Sequence, residues 1–291
     1  MNLRNTPLYA ESWNVAFRRK PQGTILADRT TAFAIVPNAF RSWAADPFVF
    51  EHKGRIYIFA ELYDYVLRRG VIGVTEYRDG KGFGQWKTIL KESFHMSYPF
   101  VFQMGDEIYM IPETHKSNGV WLYRAKRFPD QWERYKALRE NVRWVDTTII
   151  PDGEGFLGYA QSIADGKTKD IMFRMDSNLE LVQEEPCRQQ DPLRQRPGGR
   201  MFRKDGHLIR VTQDCTQDYG KALFFNCTEK EDWVRIGPDD LQFSKSMRID
   251  GMHTYSATDA MEVIDVKTRR LNLLNLLLRI INKIQYRRVR R

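Results

Sequence analysis

Sixteen residues from Asp46 to Glu61 return without a gap from Tyr98 to Glu113, at an offset of 52, and seven positions are identical: Pro, Phe, Val, Phe, Ile, Tyr and the final Glu. Each copy reads as a β-hairpin. Pro-Phe-Val-Phe leads to a polar turn, Glu51 to Gly54 or Gln103 to Asp106, and then to Ile56-Tyr-Ile-Phe or Ile108-Tyr-Met-Ile. Turn residues flanked by β-branched and aromatic runs are the hairpin signal. One such unit cannot bury its apolar face alone, so a chain that repeats it must stack the copies.

Fainter copies follow. Val145 to Ile150 leads through Pro151–Gly155 to Phe156–Tyr159. Arg196 to Phe202 leads through Lys204–Gly206 to His207–Val211. Asp250 to Ser256 leads to Ala260–Ile264. Unit starts fall near 46, 98, 146, 196 and 253. Further strand candidates lie between them: Gly70–Tyr77 with Trp86–Ile89, Gly119–Arg124 with Trp132–Leu138, and Ala222–Asn226 with Trp233–Ile236. Four strands repeated at about 50 residues make a propeller blade. The expected fold is all-β: a five-bladed β-propeller over residues 1–267, followed by a basic amphipathic helix over 268–291. The segment from Trp13 to Val36 should supply an outer strand that closes the ring onto the last blade and removes a free sheet edge. A β-sandwich with chance internal similarity is the competing fold.

Composition narrows the function. Hydrophobic residues are 42% of the 291 and aromatics 13%, enough for a sizeable core. The net charge of +9 is concentrated at one end, since the chain from Thr268 onward carries eight Lys/Arg and no Asp or Glu. The body is therefore nearly neutral, and nucleic acid is not an expected partner. Cys187, Cys215 and Cys227 are odd in number and irregularly spaced, which suggests neither a disulfide framework nor a metal site; Cys215 and Cys227 are expected to be strand neighbours. No secretory leader and no apolar run long enough to span a bilayer is evident. A reducing, cytoplasmic setting is the expectation.

In a propeller the innermost strands line a central channel and their starts converge at one mouth, so the blade starts are the first place to seek a site. They carry Asp46, Tyr98, Asp146, Arg196 and His253, and the hairpin ends add Glu61 and Glu113. Asp146 interrupts an apolar strand, where a charge needs a partner or a channel. Two carboxylates across a pocket suit glycosyl chemistry, one as base or nucleophile and one as acid or sugar-hydroxyl ligand. Asp46, Asp146 and Glu113 are the catalytic candidates; Glu61, Tyr98, Arg196, His253 and Tyr255 are candidates for binding substrate. Asp46 also reads as a turn former, and Glu61 and Glu113 as a repeated structural feature. Arg196-Pro-Gly-Gly-Arg200 offers guanidinium groups around a turn, suited to phosphate or carboxylate, without the Lys-Ser/Thr of a P-loop. No residue cluster has zinc spacing.

Asp46-Pro-Phe in the first unit, Asp146 in the third and His253 in the fifth resemble the five-bladed glycosidases of glycoside hydrolase family 43. That resemblance implies Asp46 as base, Asp146 as an orienting acid and His253 beside a channel ion, a divalent cation such as calcium. Those hydrolases place a Glu acid at the fourth blade start, where this chain has Arg196-Pro-Gly-Gly. Trp-Ala-Ala-Asp46-Pro-Phe, Ser97-Tyr-Pro-Phe, Ile-Pro-Glu113, Val-Asp146 and Arg196-Pro-Gly-Gly together resemble the amino-terminal propeller domain of plant glucosamine inositolphosphorylceramide transferases, over about residues 10–265. This likeness implies a glycan setting, with a sugar or glycoconjugate as substrate.

In residues 271–291, Leu271, Leu274, Leu278 and Ile281 share one helical face, widened by Leu273, Leu277, Ile280 and Ile284. A basic amphipathic helix of this kind suits an anionic membrane surface, here the inner face of the membrane. The functional expectation is glycosyl transfer on a glycan or glycoconjugate. The alternatives are a glycoside hydrolase and a glycan-binding or scaffold propeller without turnover.

Overall fold

The computed structural model describes residues 9–20, 24–187, 191, 193–227, 229 and 232–271. Within these residues, β1 (Tyr9–Arg19) and β2 (Ala34–Ile35) precede the first repeat. Blade one holds β3 (Ser42–His52), β4 (Arg55–Asp64) and β5 (Arg69–Arg78), with β6 (Gly82–Phe83) and β7 (Lys87–Leu90) both on the outer edge of β5. Blade two is β8 (Ser97–Met104), β9 (Glu107–Glu113), β10 (Gly119–Arg127) and β11 (Gln131–Glu140). Blade three is β12 (Trp144–Asp152), β13 (Gly155–Ala164), β14 (Lys167–Met175) and β15 (Leu181–Pro186). Blade four is β16 (Phe202–Lys204), β17 (His207–Asp214), β18 (Ala222–Cys227) and β19 (Asp232–Ile236). Blade five joins the two ends of the described chain: β20 (Tyr255–Ala257) and β21 (Met261–Leu271) pair on to β1 and β2, in the order β2-β1-β21-β20.

The five-bladed propeller is thus the fold, and the segment before the first repeat closes it. β1 and β21 pair antiparallel along their whole length, Tyr9 with Leu271 through Arg19 with Met261. A buried ion pair locks the seam: Arg18 Nε donates to Glu262 Oε2 at 2.7 Å, and Glu262 Oε1 accepts from the Ile25 amide at 2.7 Å. β21 also takes in Thr268–Leu271, four residues that the sequence reading gave to the tail. The expected helix over the rest of the tail lies outside the described residues.

Alternation along each strand sends apolar side chains into both neighbouring blades, so the core is divided among the interfaces. One buried cluster lies between blades one and two, around Phe59, Ile72, Val101 and Met110. Others join two to three, four to five and five to one. The cluster between blades three and four is the smallest, with Ile150, Tyr159, Met201 and Leu208. Here Arg210 lies 3.8 Å over the Tyr159 ring, and polar contact replaces part of the apolar packing.

Two inner strands are shorter than their sequences suggest. In blade four, Pro197 and Gly199 make only isolated bridges, to Thr212 and Tyr255, before β16 begins at Phe202. Pro197 has no amide to donate. Gly199 has φ +130, and a Cβ there would fall 1.8 Å from the Tyr255 carbonyl oxygen. Gly199→Ala should therefore lower stability by at least about 1–3 kcal/mol, the usual range for overpacking, measurable by thermal denaturation. In blade five, the amides of His253 and Thr254 bond to the Asp265 side chain instead of a neighbouring strand. Cys215 and Cys227 are not strand neighbours: Cys227 pairs with Ile209, at the opposite end of the β17–β18 hairpin from Cys215. All three cysteines are free.

Candidate active site in the propeller channel

The first three blades begin with the same local device. Ladder pairing slips between Ala45 and Phe48, between Ser97 and Phe100, and between Val145 and Thr148. The residues inside these bulges, Asp46, Tyr98 and Asp146, have φ of 51, 46 and 54. A left-handed backbone at a residue other than glycine costs of order 1–3 kcal/mol and persists only where the surroundings enforce it. Bulges re-aim side chains, and these three side chains serve a common centre.

A chain of hydrogen bonds ties the bulges together. Asp265 of β21 accepts from the Asp46 amide through Oδ2 at 3.0 Å. Asp46 accepts from the Tyr98 amide through Oδ2 at 3.2 Å and from the Thr254 hydroxyl through Oδ1 at 2.9 Å. The Tyr98 hydroxyl lies 2.7 Å from Thr148 Oγ1 and accepts from the Gly199 amide at 2.7 Å. Each blade thereby fixes the backbone or side chain of a neighbour around the ring.

Cations meet these acids at two places. Arg196 donates through Nε to Asp146 Oδ2 at 2.5 Å, and Gln213 Nε2 donates to the same oxygen at 3.0 Å. Among the described residues Arg196 donates through Nε alone. His253 Nδ1 lies 2.6 Å from Asp265 Oδ2 and 3.6 Å from Asp46 Oδ1. Its ring stacks on Trp13 at 4.0 Å and 20°, with Tyr219 edge-on at 5.2 Å. Arg196→Ala would leave the buried Asp146 carboxylate without its counter-ion. A loss of about 3–5 kcal/mol is expected in denaturant melts, and Arg196→Lys should not recover it fully because a flexible ammonium does not reproduce the fixed position of the guanidinium Nε–H.

Glu61 and Glu113, at the ends of β4 and β9, sit in different environments despite their matching sequence positions. Glu113 Oε1 accepts from the His115 amide at 2.9 Å and faces His115 Nδ1 at 2.5 Å; Oε2 accepts from Ser97 at 3.3 Å. Glu61 Oε1 is buried without a hydrogen bond, 3.5 Å from His95 Nε2. His95 Nδ1 accepts from the Gly70 amide at 2.9 Å, so Nε2 carries the proton that faces Glu61. His95 thus faces Glu61. Gly70 is required for this approach, since a Cβ there would lie 2.4 Å from Glu61 Oε1.

The environments push the proton affinities apart. Burial raises Asp46 to about 7, with His253 opposing the rise and Asp146 and Asp265 adding to it. Burial raises Glu61 well above the carboxylate range, reinforced by the charges of Asp46 and Glu113. Burial also works against an ionised Glu113, but the hydrogen bonds and charge of His115 outweigh it and hold the group below its ordinary value. Burial raises Asp146 in spite of Arg196. His253 is disfavoured as a cation by burial, yet Asp265 and Asp46 prevail and raise it.

The family model for the N-terminal region of glucosamine inositolphosphorylceramide transferase 1 matches residues 27–233. This chain belongs to that family. Curated relatives include glucosamine inositolphosphorylceramide transferase 1 of Oryza sativa subsp. indica, 32% identical over 198 residues, covering 65% of this chain and 26% of that protein. The Arabidopsis thaliana protein of the same name is 32% identical over 193 residues, covering 62% and 25%. The chain thus spans about a quarter of the length of these relatives. Among solved structures it is similar to the α-L-arabinofuranosidase PaAbf62A from Podospora anserina, with TM-score 0.61 and 10% identity over 82% of this chain and 95% of that one. It is also similar to a thermostable family-43 glycoside hydrolase, with TM-score 0.53 and 14% identity over 80% and 90%. At such identities the likeness is one of fold. The family match spans Asp46, Glu61, Tyr98, Glu113, Asp146 and Arg196; Trp13, His253 and Asp265, which complete the ring, lie outside it.

Asp46, His253 and Asp265 place donor atoms within 4.8 Å of one another, the geometry of a possible cation site. The hydrogen bonds do not fit one. Both Asp265 oxygens and both Asp46 oxygens already accept from protein donors, and His253 Nδ1 must carry a proton to bond Asp265 at 2.6 Å. Calcium needs six to eight oxygen ligands and would have to displace this network. The expected channel ion is therefore not accommodated by these three residues as arranged.

Of the residues singled out in the sequence, Asp46, Glu61, Glu113, Asp146, Arg196 and His253 are brought together. Tyr98 underlies the centre and braces it. Tyr255 is not brought there: it packs against Phe225 and Phe202 between blades four and five, its hydroxyl on Glu262. Asp265 was missed, although Ile264-Asp265-Val266 is a charge within an apolar strand, the signal that marked Asp146. Trp13, Tyr219, Gln213 and Thr254 carried no local signal. The same holds for His207, Cys227 and Glu229, whose donor atoms gather within 4.8 Å on blade four.

Proposed function

We propose that the channel binds a glycosyl group and transfers it on a glycan or glycoconjugate. Family and fold both point to carbohydrate-active proteins. The observation that carries the reading is the divergence of the carboxyls: Asp46 near 7, Glu61 well above its usual value and Glu113 below it. Titratable groups driven apart in one pocket define acid and base roles. Glu61, protonated, gives its proton to the leaving oxygen as the bond from the anomeric carbon breaks. Asp46, ionised, takes the proton of the incoming hydroxyl as the new bond forms. Glu61, a candidate for substrate binding in the sequence, thus takes the acid role in place of the catalytic candidate Glu113. Glu113 remains charged and, with Asp146, faces the positive charge that develops on the sugar. The terminal nitrogens of Arg196 suit a phosphate-bearing donor or acceptor.

Thermal-shift measurements against nucleotide sugars, free sugars and inositol phosphates test this directly. Stabilisation by a sugar phosphate or nucleotide sugar, weakened in Arg196→Lys, supports it. Absence of a shift with any sugar-bearing ligand overturns it. Binding without turnover favours the second reading, a glycan-binding propeller, to which Arg196 at the fourth blade start lends support.

A further inference from the structure

The face of the ring that holds the channel mouth carries a second feature. Inner strands run away from this mouth, so the loops entering them, and those joining each second strand to its third, all lie on this face. Two such loops of blade one lie side by side: the Tyr65 amide donates to the Arg41 carbonyl at 3.0 Å. One residue beyond this contact on each loop stands a bare apolar side chain, Phe40 at 88% exposure and Val66 at 52%. Neither has a packing role that would explain it.

Exposed basic residues share this face with the tips. Arg41, Arg68, Lys91, Lys116 and Arg143 all lie in mouth-side loops of blades one to three and are all exposed. Of the acids at the same ends of blades one to three, Asp64 is paired with Arg41 at 3.1 Å and Glu92 with Arg134 at 2.9 Å, and Glu140 and Asp165 are exposed, so the bases outnumber the acids. β21 runs towards this face as well, so the chain beyond Leu271 departs from it, carrying the basic apolar sequence that follows.

We propose that this rim docks on an anionic lipid bilayer, with Phe40 and Val66 entering the headgroup layer, the arginines and lysines at the lipid phosphates and the channel mouth turned to the membrane. Apolar tips among cationic side chains are complementary to such a surface. The alternatives are disfavoured by charge. Residues 272–291 are basic with no acid, so the rim repels them, and a second copy of the rim repels it equally.

The full chain should sediment with vesicles of phosphatidylcholine containing one third phosphatidylserine, and far less with phosphatidylcholine alone. Each basic residue at an anionic surface is worth about a fivefold change in partition. Arg68→Glu with Lys116→Glu should therefore lower binding by at least about 25-fold, and Phe40→Ser with Val66→Ser by roughly tenfold. These positions are exposed, so near-UV circular dichroism should remain that of the wild type. A Phe40→Trp variant should gain quenching from nitroxide-labelled lipid, while Val182→Trp, on the outer edge of blade three, should not. Both double variants partitioning like the wild type, or equal quenching at 40 and 182, would overturn the proposal and leave any lipid binding to the tail.

Discussion

Asp46→Asn should keep its ligand and lose turnover by about 10²–10⁴-fold, the range for removal of a general acid or base. The amide keeps the size of the carboxyl and can still accept from the Thr254 hydroxyl or the Tyr98 amide, so the bulge and the pocket should survive. What it cannot do is exchange a proton near neutrality. Isothermal titration for affinity and initial rates for turnover check the two halves separately. Equal loss of both would make Asp46 a structural residue. Equal retention would remove it from the chemistry.

The same group gives a pH signature of unusual sign. Asp46 has a folded-state value of about 7 against 3.8 ordinarily. A carboxyl whose affinity for its proton rises on folding contributes stability that is fully present below the unfolded value and lost as pH rises through the folded one. Wild-type melting temperature should therefore fall between about pH 4 and pH 7, and Asp46→Asn should flatten part of that slope. The rate should show the opposite trend on its acid limb, rising through about pH 7 as the base form appears. A melting temperature that rises steadily over this interval would contradict the assignment.

How far the sequence foretold this arrangement depended on the kind of signal. The ungapped repeat revealed the blades because a blade is a local unit: hairpin turns, alternating β residues and period all lie within about 50 residues. The starts of the inner strands then pointed to Asp46, Asp146, Arg196 and His253, because topology alone makes strand starts converge. Tyr255 was misplaced for a physical reason. Residues two apart share a face only within a continuous strand, and β20 begins only at Tyr255: the amides of His253 and Thr254 turn to Asp265, so His253 stands before the strand while Tyr255 lies inside it, in the interface between blades four and five. The divergence of Glu61 and Glu113 was hidden too. Their sequences match, but one is answered by His115 on its own loop and the other by a neutral His95 from the next blade.

Asp265 is where fold and site depend on one carboxylate, and its replacement should have the largest structural effect. It accepts three hydrogen bonds, from the amides of Asp46, His253 and Thr254, and its Oδ2 lies 2.6 Å from the His253 ring nitrogen Nδ1. Asp265→Ala leaves all these donors buried and removes the imidazolium's partner. Breaking a buried ion pair costs about 3–5 kcal/mol, and each orphaned amide adds about 1–3 kcal/mol unless water reaches it. A fall in melting temperature of at least about 6 °C is expected for a chain of this size. Asp265→Asn separates charge from hydrogen bonding. The pair's contribution is full below the unfolded His value of about 6.5 and is lost as pH rises through the raised value of His253. The gap between wild type and Asp265→Asn should therefore be widest near pH 6 and shrink at higher pH, while the His253 titration seen by NMR moves down in the variant. A gap independent of pH would mean that Asp265 acts through its amide contacts alone. Blade five would then be held to blade one by geometry, and the charge on His253 would be free to serve the substrate.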